Sequence, residues 1–363
     1  MTLTTVGAPD VGTRLRGGIA RALAAVTTPL LPSDYLDVID PLRSGAALRG
    51  RIMAITPETA HAATVLIRPG RGWAGHIPGQ YVRIGVDVDG VRLWRAYSLT
   101  SGPRRDGLIA ITVKAIPDGV VSNHIVFRAT PGTVIQLDQA TGDFHLPAEP
   151  PAAVMYLTAG SGITPVMGML RHHLADLADV VVVHSAPTAD DVIFGPALRD
   201  MAAVGRIRLV EHHTDAAGLL DVGALDDLVP DWSTRQAWAC GPTGLLDAAE
   251  DRWASAGVPQ RLHTERFRPT VITPGEGGEV TFTRSGRTTQ ADGATPLLEA
   301  GEAAGVLMPS GCRMGICMGC VRPLESGAVR DLRSGTLTTA VPGDGVQIQT
   351  CISAAAGPCQ IDA

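Results

Sequence analysis

Three cysteines sit inside Ser310-Gly311-Cys312-Arg313-Met314-Gly315-Ile316-Cys317-Met318-Gly319-Cys320, and a fourth, Cys351, follows after thirty further residues. Four residues separate the first pair and two the second. This is the plant-type spacing for a [2Fe–2S] cluster. Four thiolates must converge on two irons, so one tight loop supplies three and a separate segment delivers the fourth. Gly311, Gly315 and Gly319 suit a loop that turns sharply and aims amides at sulfur. Zinc would show paired short cysteine spacings or cysteine with histidine, and this stretch has no histidine. A disulfide framework would need an oxidising compartment, for which nothing in the sequence argues. A one-electron centre raises the question of where its electrons come from and where they go.

A chain of 363 residues has room for two or three domains. A net charge of −6 argues against nucleic acid as a partner. The start of the chain lacks a basic stretch followed by an apolar run, so no secretory signal is expected. No run of eighteen apolar residues offers a membrane span. Six cysteines, four of them in cluster spacing, fit a reducing cytoplasm.

Residues 1–47 read as an N-terminal helical extension, with Thr13–Thr27 amphipathic and Pro29, Pro32 and Pro41 breaking it. Such a helix either packs on the next domain or touches a membrane surface. Residues 48–149 change to short strands: Arg49–Thr56, Ala63–Arg68, Gln80–Val88, Val91–Leu99, Leu108–Ala115 and Thr133–Leu137, with a hairpin turn at Asp89-Gly90 and a helix near Ser122–Arg128. Six short strands in this length predict an antiparallel β-barrel. Within it, Arg95-Ala96-Tyr97-Ser98 ends a strand and Gly119-Val120-Val121-Ser122 opens the helix. An arginine fork suits a phosphate, a tyrosine can lie along a flavin ring, and a helix start offers free amides to a pyrophosphate. The pair predicts a flavin site.

Residues 150–268 alternate strands and helices, which predicts a doubly wound α/β domain with its ligand at the carboxyl ends of the strands. The strands are Ala153–Ala159, Val180–His184, Ile207–Glu211, Gln236–Cys240 and Leu262–Phe267, with helices from about Pro165 to Ala175 and from Asp191 towards Met201. Gly160-Ser161-Gly162-Ile163-Thr164 fills the first turn, where backbone must approach a pyrophosphate closely, and Cys240-Gly241-Pro242 ends a later strand at the same edge. Residues 269–278 are rich in Pro and Gly and read as a linker. Residues 279–363 show a hairpin (Glu279–Thr283, Arg287–Ala291), a helix opening at Thr295-Pro296, the cysteine loop and a strand, Val346–Thr350. That is an α+β, β-grasp ferredoxin arrangement.

Together these motifs resemble the ferredoxin–NADP reductase superfamily with a plant-type ferredoxin domain fused behind it, over about residues 49–363. The chain is similar to reductase components of bacterial oxygenases, and through Pro29-Leu30-Leu31-Pro32-Ser33-Asp34-Tyr35 to actinobacterial reductases of acyl-CoA desaturases. The resemblance implies FAD held by Arg95, Tyr97, Ser98, Gly119, Val121 and Ser122, although Val120 stands where the family often has glycine. It implies NADPH or NADH against Gly160, Gly162, Thr164, Cys240 and Gly241, with Phe267 near the flavin. Catalytic roles fall to Ser98, Cys240 and Glu265. Cluster ligation falls to Cys312, Cys317, Cys320 and Cys351, leaving Cys359 structural.

The implied enzyme is an NAD(P)H-dependent electron-transfer reductase that serves a desaturase or an oxygenase, with peripheral membrane contact through the acceptor. An iron–sulfur redox sensor is the alternative, and complete flavin and nicotinamide motifs count against it because a sensor needs no hydride donor. A self-contained oxygenase would need a second metal or a haem site with evident ligands. NADPH is the expected coenzyme, its 2′-phosphate read near Ser185 with Arg199, Arg206 or Arg208 in reach; Asp190 and Asp191, if they face it, favour NADH. His172-His173 and His212-His213 read as surface or core residues.

Overall fold

A computed structural model of the chain describes residues 36, 39–43, 47–117, 119–267, 274–311, 313, 315 and 318–363. The Thr13–Thr27 helix, the 29–35 stretch, Cys312 and Cys317 lie outside the described residues.

The first sheet contains β1 (Arg49–Thr59), β2 (Ala62–Pro69), β3 (Tyr81–Val88), β4 (Val91–Ser98), β5 (Ile109–Lys114) and β6 (Val134–Leu137), in the order β4-β3-β6-β1-β2-β5. All its pairings are antiparallel, and a bridge between Leu99 and Ile111 joins the two edges into a barrel. The hairpin between β3 and β4 turns through Asp89 (φ 50°) and Gly90 (φ 82°), the left-handed pair that a two-residue turn requires. Ile52, Val65, Ile67, Ile84 and Ile111 fill the interior, and helix α1 (Val120–Phe127) seals it with Val121 and Ile125.

The second sheet is parallel throughout: β7 (Ala153–Ala159), β8 (Asp179–Ala186), β9 (Arg208–His213), β10 (Gln236–Cys240) and β11 (Leu262–Glu265), ordered β11-β10-β7-β8-β9. Helices α2 (Ile163–His173) and α3 (Gly195–Ala203) cover one face and α4 (Thr243–Ser255) the other. Strands buried on both faces are apolar at nearly every position. Tyr156, Val182 and Trp238 pack towards α2, and Met155, Leu157 and Val183 pack towards α4. The helix expected from Asp191 begins later. Val192, Ile193 and Phe194 are buried as a plug, Phe194 adopts φ 64°, and Pro196 in the first turn sets the start at Gly195.

The third sheet is mixed: β12 (Gly278–Phe282), β13 (Arg287–Ala291), β14 (Val321–Asp331), β15 (Leu337–Ala340) and β17 (Ser353–Ile361) run in the order β13-β12-β17-β14-β15, and β16 (Gln347–Gln349) pairs with β14. β12 and β17 are parallel, and α5 (Leu297–Ala303) lays Leu297 and Leu298 on the sheet. The described end of the Pro/Gly-rich stretch is stitched to this sheet: Gly275 N donates to Gly293 O and Gly277 N to Ala355 O.

The barrel and the parallel sheet meet where two glycines permit close approach. A Cβ on Gly168 of α2 would stand 2.3 Å from Leu99 O, and one on Gly79 would stand 2.2 Å from Phe144 O and 2.7 Å from the Met169 methyl. Arg171 Nη1 donates to Thr100 O at 2.8 Å and Trp238 Nε1 to His145 O at 3.2 Å across the same seam. Among the described residues no helix is long and apolar enough to cross a membrane.

Candidate active site

Register builds a polar row across the carboxyl edge of the parallel sheet. Glu265 stands opposite Cys240, Cys240 opposite Thr158, Thr158 opposite His184, and His184 opposite Glu211. In-register neighbours on parallel strands share a face, so five consecutive strands place these side chains side by side. Cys240 is fully buried; burial first, then the charge of Glu265, pushes its thiol well above the usual range, so it is a neutral thiol. Glu265 Oε2 is out of solvent with no hydrogen-bond partner among the described residues, and burial pushes its carboxyl up to about 8. At neutral pH it therefore carries a proton. His184 lies 2.8 Å, Nδ1 to Oγ1, from Thr158, and burial lowers it to about 4, so it is a neutral imidazole. Glu211 accepts two bonds from Arg199, at 2.9 and 3.0 Å.

The turn after β7 runs beside this row. Gly160 has φ 53°, and a Cβ on Gly162 would stand 1.9 Å from Cys240 O, so only glycine fits there. Thr164 is buried and its hydroxyl donates to Ser161 O at 2.8 Å; it shapes the turn and does not reach out of it. Gly241 packs against Ala159 and Leu245. Sequence reasoning missed Lys114, whose Nζ ends 3.8 Å from where a Gly160 Cβ would be. It is the only lysine of the chain, a visible oddity in an arginine-rich sequence.

On the barrel side, Arg95, Tyr97 and Ser98 lie at the end of β4. Ser98 Oγ is buried with no partner among the described residues. Burial raises the Tyr97 phenol, so its hydroxyl is neutral. Arg95 Nη1 donates to Trp94 O at 2.8 Å. Burial, then the charge of Arg313 from the cysteine loop, lowers its guanidinium, while Glu302 of α5 acts the other way. The ferredoxin domain thus lies within electrostatic range of the flavin strand. At α1, a Cβ on Gly119 would stand 2.3 Å from Ser122 Oγ, and that hydroxyl donates to Gly119 O at 3.1 Å. Val121 points into the barrel core, which leaves only its backbone for a ligand. Phe267 is exposed.

These features fit a flavin. An orphaned buried hydroxyl, a neutral tyrosine, a half-buried guanidinium and a helix start free of side-chain caps are what its ring and phosphates would use. The glycine turn with Lys114 above it fits a dinucleotide pyrophosphate. In the third domain, Cys320 and Cys351 bring their Sγ atoms to 3.1 Å. Arg313, Gly315 and Met318 hold φ of 59°, 74° and 57°, left-handed bends of the kind that gather backbone amides around an anion. This donor set fits a thiolate-bound cluster. Cys359 sits opposite Val280 and Gly327 in the sheet, with burial pushing its thiol up to about 11, as a packed small residue.

The expected phosphate readers separate. Arg206 and Arg208 are tied to the carbonyls of Leu174 and Leu228. Arg199 instead donates to Ala189 O at 3.0 Å, in the turn after β8. Ser185 is buried in that strand, and Asp191 accepts from Thr188 Oγ1 at 2.7 Å.

Three family models match in chain order: an oxidoreductase FAD-binding domain over residues 70–146, an oxidoreductase NAD-binding domain over 156–251 and a 2Fe-2S iron-sulfur cluster binding domain over 280–356. An NADPH oxidoreductase of Mycobacterium tuberculosis (strain ATCC 25618 / H37Rv) is 49% identical over 352 residues, 95% of this chain and 92% of that protein. The ferredoxin reductase component of 3-ketosteroid-9-alpha-monooxygenase from the same organism is 34% identical over 275 residues, covering 70% and 76%. Among solved structures, phthalate dioxygenase reductase shares the fold with a TM-score of 0.58 at 22% identity, covering 87% of this chain and 97% of that one. The chain belongs to the ferredoxin–NADP reductase superfamily, as an NAD(P)H-dependent flavoprotein oxidoreductase with a plant-type [2Fe–2S] ferredoxin domain.

Proposed function

We propose that the chain draws electrons from NADPH and delivers them to a separate oxygenase or acyl-CoA desaturase. The chemistry supplied by the bound cofactors is two-electron uptake from reduced nicotinamide and one-electron release through the iron–sulfur centre. The protein aligns and insulates them. The observation that carries the reading is the contact of the Gly160–Gly162 turn with the Cys240 carbonyl, beside the buried Cys240–Glu265 pair. We read this edge as the seat of the dinucleotide, with its nicotinamide end towards the barrel seam.

The residue roles that go with this reading are these. Arg95 and the α1 start would take FAD phosphates, Tyr97 would serve the ring, and Ser98 would offer its hydroxyl to the ring. Lys114 meets the coenzyme pyrophosphate, and Arg199 reads the 2′-phosphate by exchanging Glu211 for it. Cys240 borders the nicotinamide as a neutral thiol, and Glu265 holds or releases a proton near pH 8. Cys312, Cys317, Cys320 and Cys351 ligate the cluster.

The name of the 49%-identical relative supports NADPH, and the 34%-identical relative supports an oxygenase-type acceptor. A desaturase would bring the reductase to a membrane surface from the cytoplasm. The test is reconstitution with candidate oxygenases and desaturases from the same genome. NADPH-dependent turnover of one of them that requires this chain supports the proposal. Brisk ferricyanide reduction with every candidate left idle would overturn the assignment of the acceptor.

A further inference from the structure

We propose that Arg333 is a positioning residue for the iron–sulfur centre: it bolts the cysteine loop to the segment that supplies the fourth ligand, and its charge draws the centre's redox equilibrium towards the reduced form. The inference rests on the ligand assignment above.

Arg333 touches the cysteine loop, and its neighbour Leu332 is bonded to the segment that carries Cys351. Its Nη1 donates to Gly315 O at 3.2 Å, and Gly315 lies between Cys312 and Cys317 in the sequence. A Cβ on Gly315 would stand 2.6 Å from Arg333 Nη1, 2.7 Å from its Cζ and 2.8 Å from Ile352 Cγ2. The guanidinium and Ile352 are therefore laid against the loop backbone, and Ile352 directly follows Cys351. The backbone makes the link to that segment, because Leu332 N donates to Ile352 O at 2.7 Å.

Asp331, at the end of β14, aims the arginine. Its Oδ1 accepts from Arg333 N at 2.8 Å and Ser334 N at 3.1 Å, and its Oδ2 lies 3.5 Å from Arg333 Nη2. The carboxylate offsets part of the guanidinium charge. Within the same loop, Arg313 holds Glu302 of α5 in a two-pronged ion pair. The loop is thus pinned twice, and removal of the Arg333 charge leaves the Arg313 pin in place.

Reduction adds one negative charge to a thiolate-bound cluster, and nearby charge is one of the levers on its potential. A cation packed on the loop between two ligands favours the added electron. The Asp331 carboxylate opposes it.

The test is a redox titration of the full-length holoprotein followed by EPR of the reduced cluster, with iron per chain measured on the same samples. Arg333→Gln keeps a donor and loses the charge, and its reduction equilibrium should fall about tenfold, a potential about 59 mV lower. Arg333→Lys should stay within about twofold of the parent. Asp331→Asn keeps its acceptor oxygen and should shift in the opposite direction to Arg333→Gln. An Arg333→Gln protein with full iron and an unmoved equilibrium overturns the inference, as does an equal shift in the Lys and Gln variants. If Arg333→Gln loses iron, Asp331→Asn decides: no shift there overturns the charge role. Full iron in a Cys351→Ala protein would instead refute the ligand assignment.

Discussion

Replacing Glu265 by glutamine should make the nicotinamide domain more stable at alkaline pH. The carboxyl belongs between about 8 in the folded protein and 4.5 in the unfolded chain. A folded-state value above the unfolded one means that the folded protein holds the proton more tightly. Its contribution is fully present below about 4.5, declines as pH rises, and is lost above about 8. Each pH unit is worth about 1.4 kcal/mol, so the interval sets an upper bound of about 4–5 kcal/mol, large beside a typical domain stability of about 5–15 kcal/mol. Glutamine has the same shape and no charge, so it removes this slope and leaves the contribution of the buried His184 untouched. The assay is urea unfolding from pH 5 to 9, followed by tryptophan fluorescence, since Trp232, Trp238 and Trp253 report on this domain. The two proteins should be close near pH 5, and the variant should lead by several kcal/mol at pH 9. Parallel pH profiles would show that Glu265 ionises freely, and the account of a protonated carboxyl beside Cys240 would fail.

Three other expectations follow. Gly162→Ala should cut kcat/KM for NADPH at least about a hundredfold, because the methyl meets the Cys240 carbonyl; near-normal kinetics would refute the close approach. Lys114 should be the side-chain amine that an acylating reagent modifies, and NADPH should protect it, read by peptide mass; labelling indifferent to NADPH would remove Lys114 from the coenzyme site. Arg199→Ala should lower kcat/KM for NADPH about tenfold or more and spare NADH, by steady-state kinetics with both coenzymes; an equal loss with both would show that Arg199 does not read the 2′-phosphate.

Much of this was legible in the sequence, for physical reasons that also mark where legibility stopped. The central strands of the parallel sheet are buried on both faces, so β7 and β10 appear as short, largely apolar runs with their exact ends. The Asp89-Gly90 turn needs two left-handed residues and shows them. By contrast β17, Ser353–Ile361, is built of alanines with Gly357 and Pro358, and only its pairing with β12 and β14 makes it a strand. β14 carries Pro323 and Gly327 and was hidden in the same way. The proposals for the glycines, Arg95, Tyr97, Ser98 and the cysteines come from motifs, because their chemistry is local. The Glu265–Cys240–Thr158–His184–Glu211 row depends on register across five strands, and Lys114 reaches its turn from another domain. Neither relation is written at any fixed spacing. Thr164 was read as a ligand contact, and its hydroxyl is already spent on Ser161 O.

The central claim is that electrons leave through the cluster and by no shorter route. The direct test is Cys351→Ala, assayed with NADPH against both ferricyanide and the acceptor identified by reconstitution. The account predicts ferricyanide reduction close to the parent, because that oxidant can take electrons from the flavin, together with loss of nearly all acceptor turnover. Undiminished acceptor turnover by a protein shown to lack iron would contradict it.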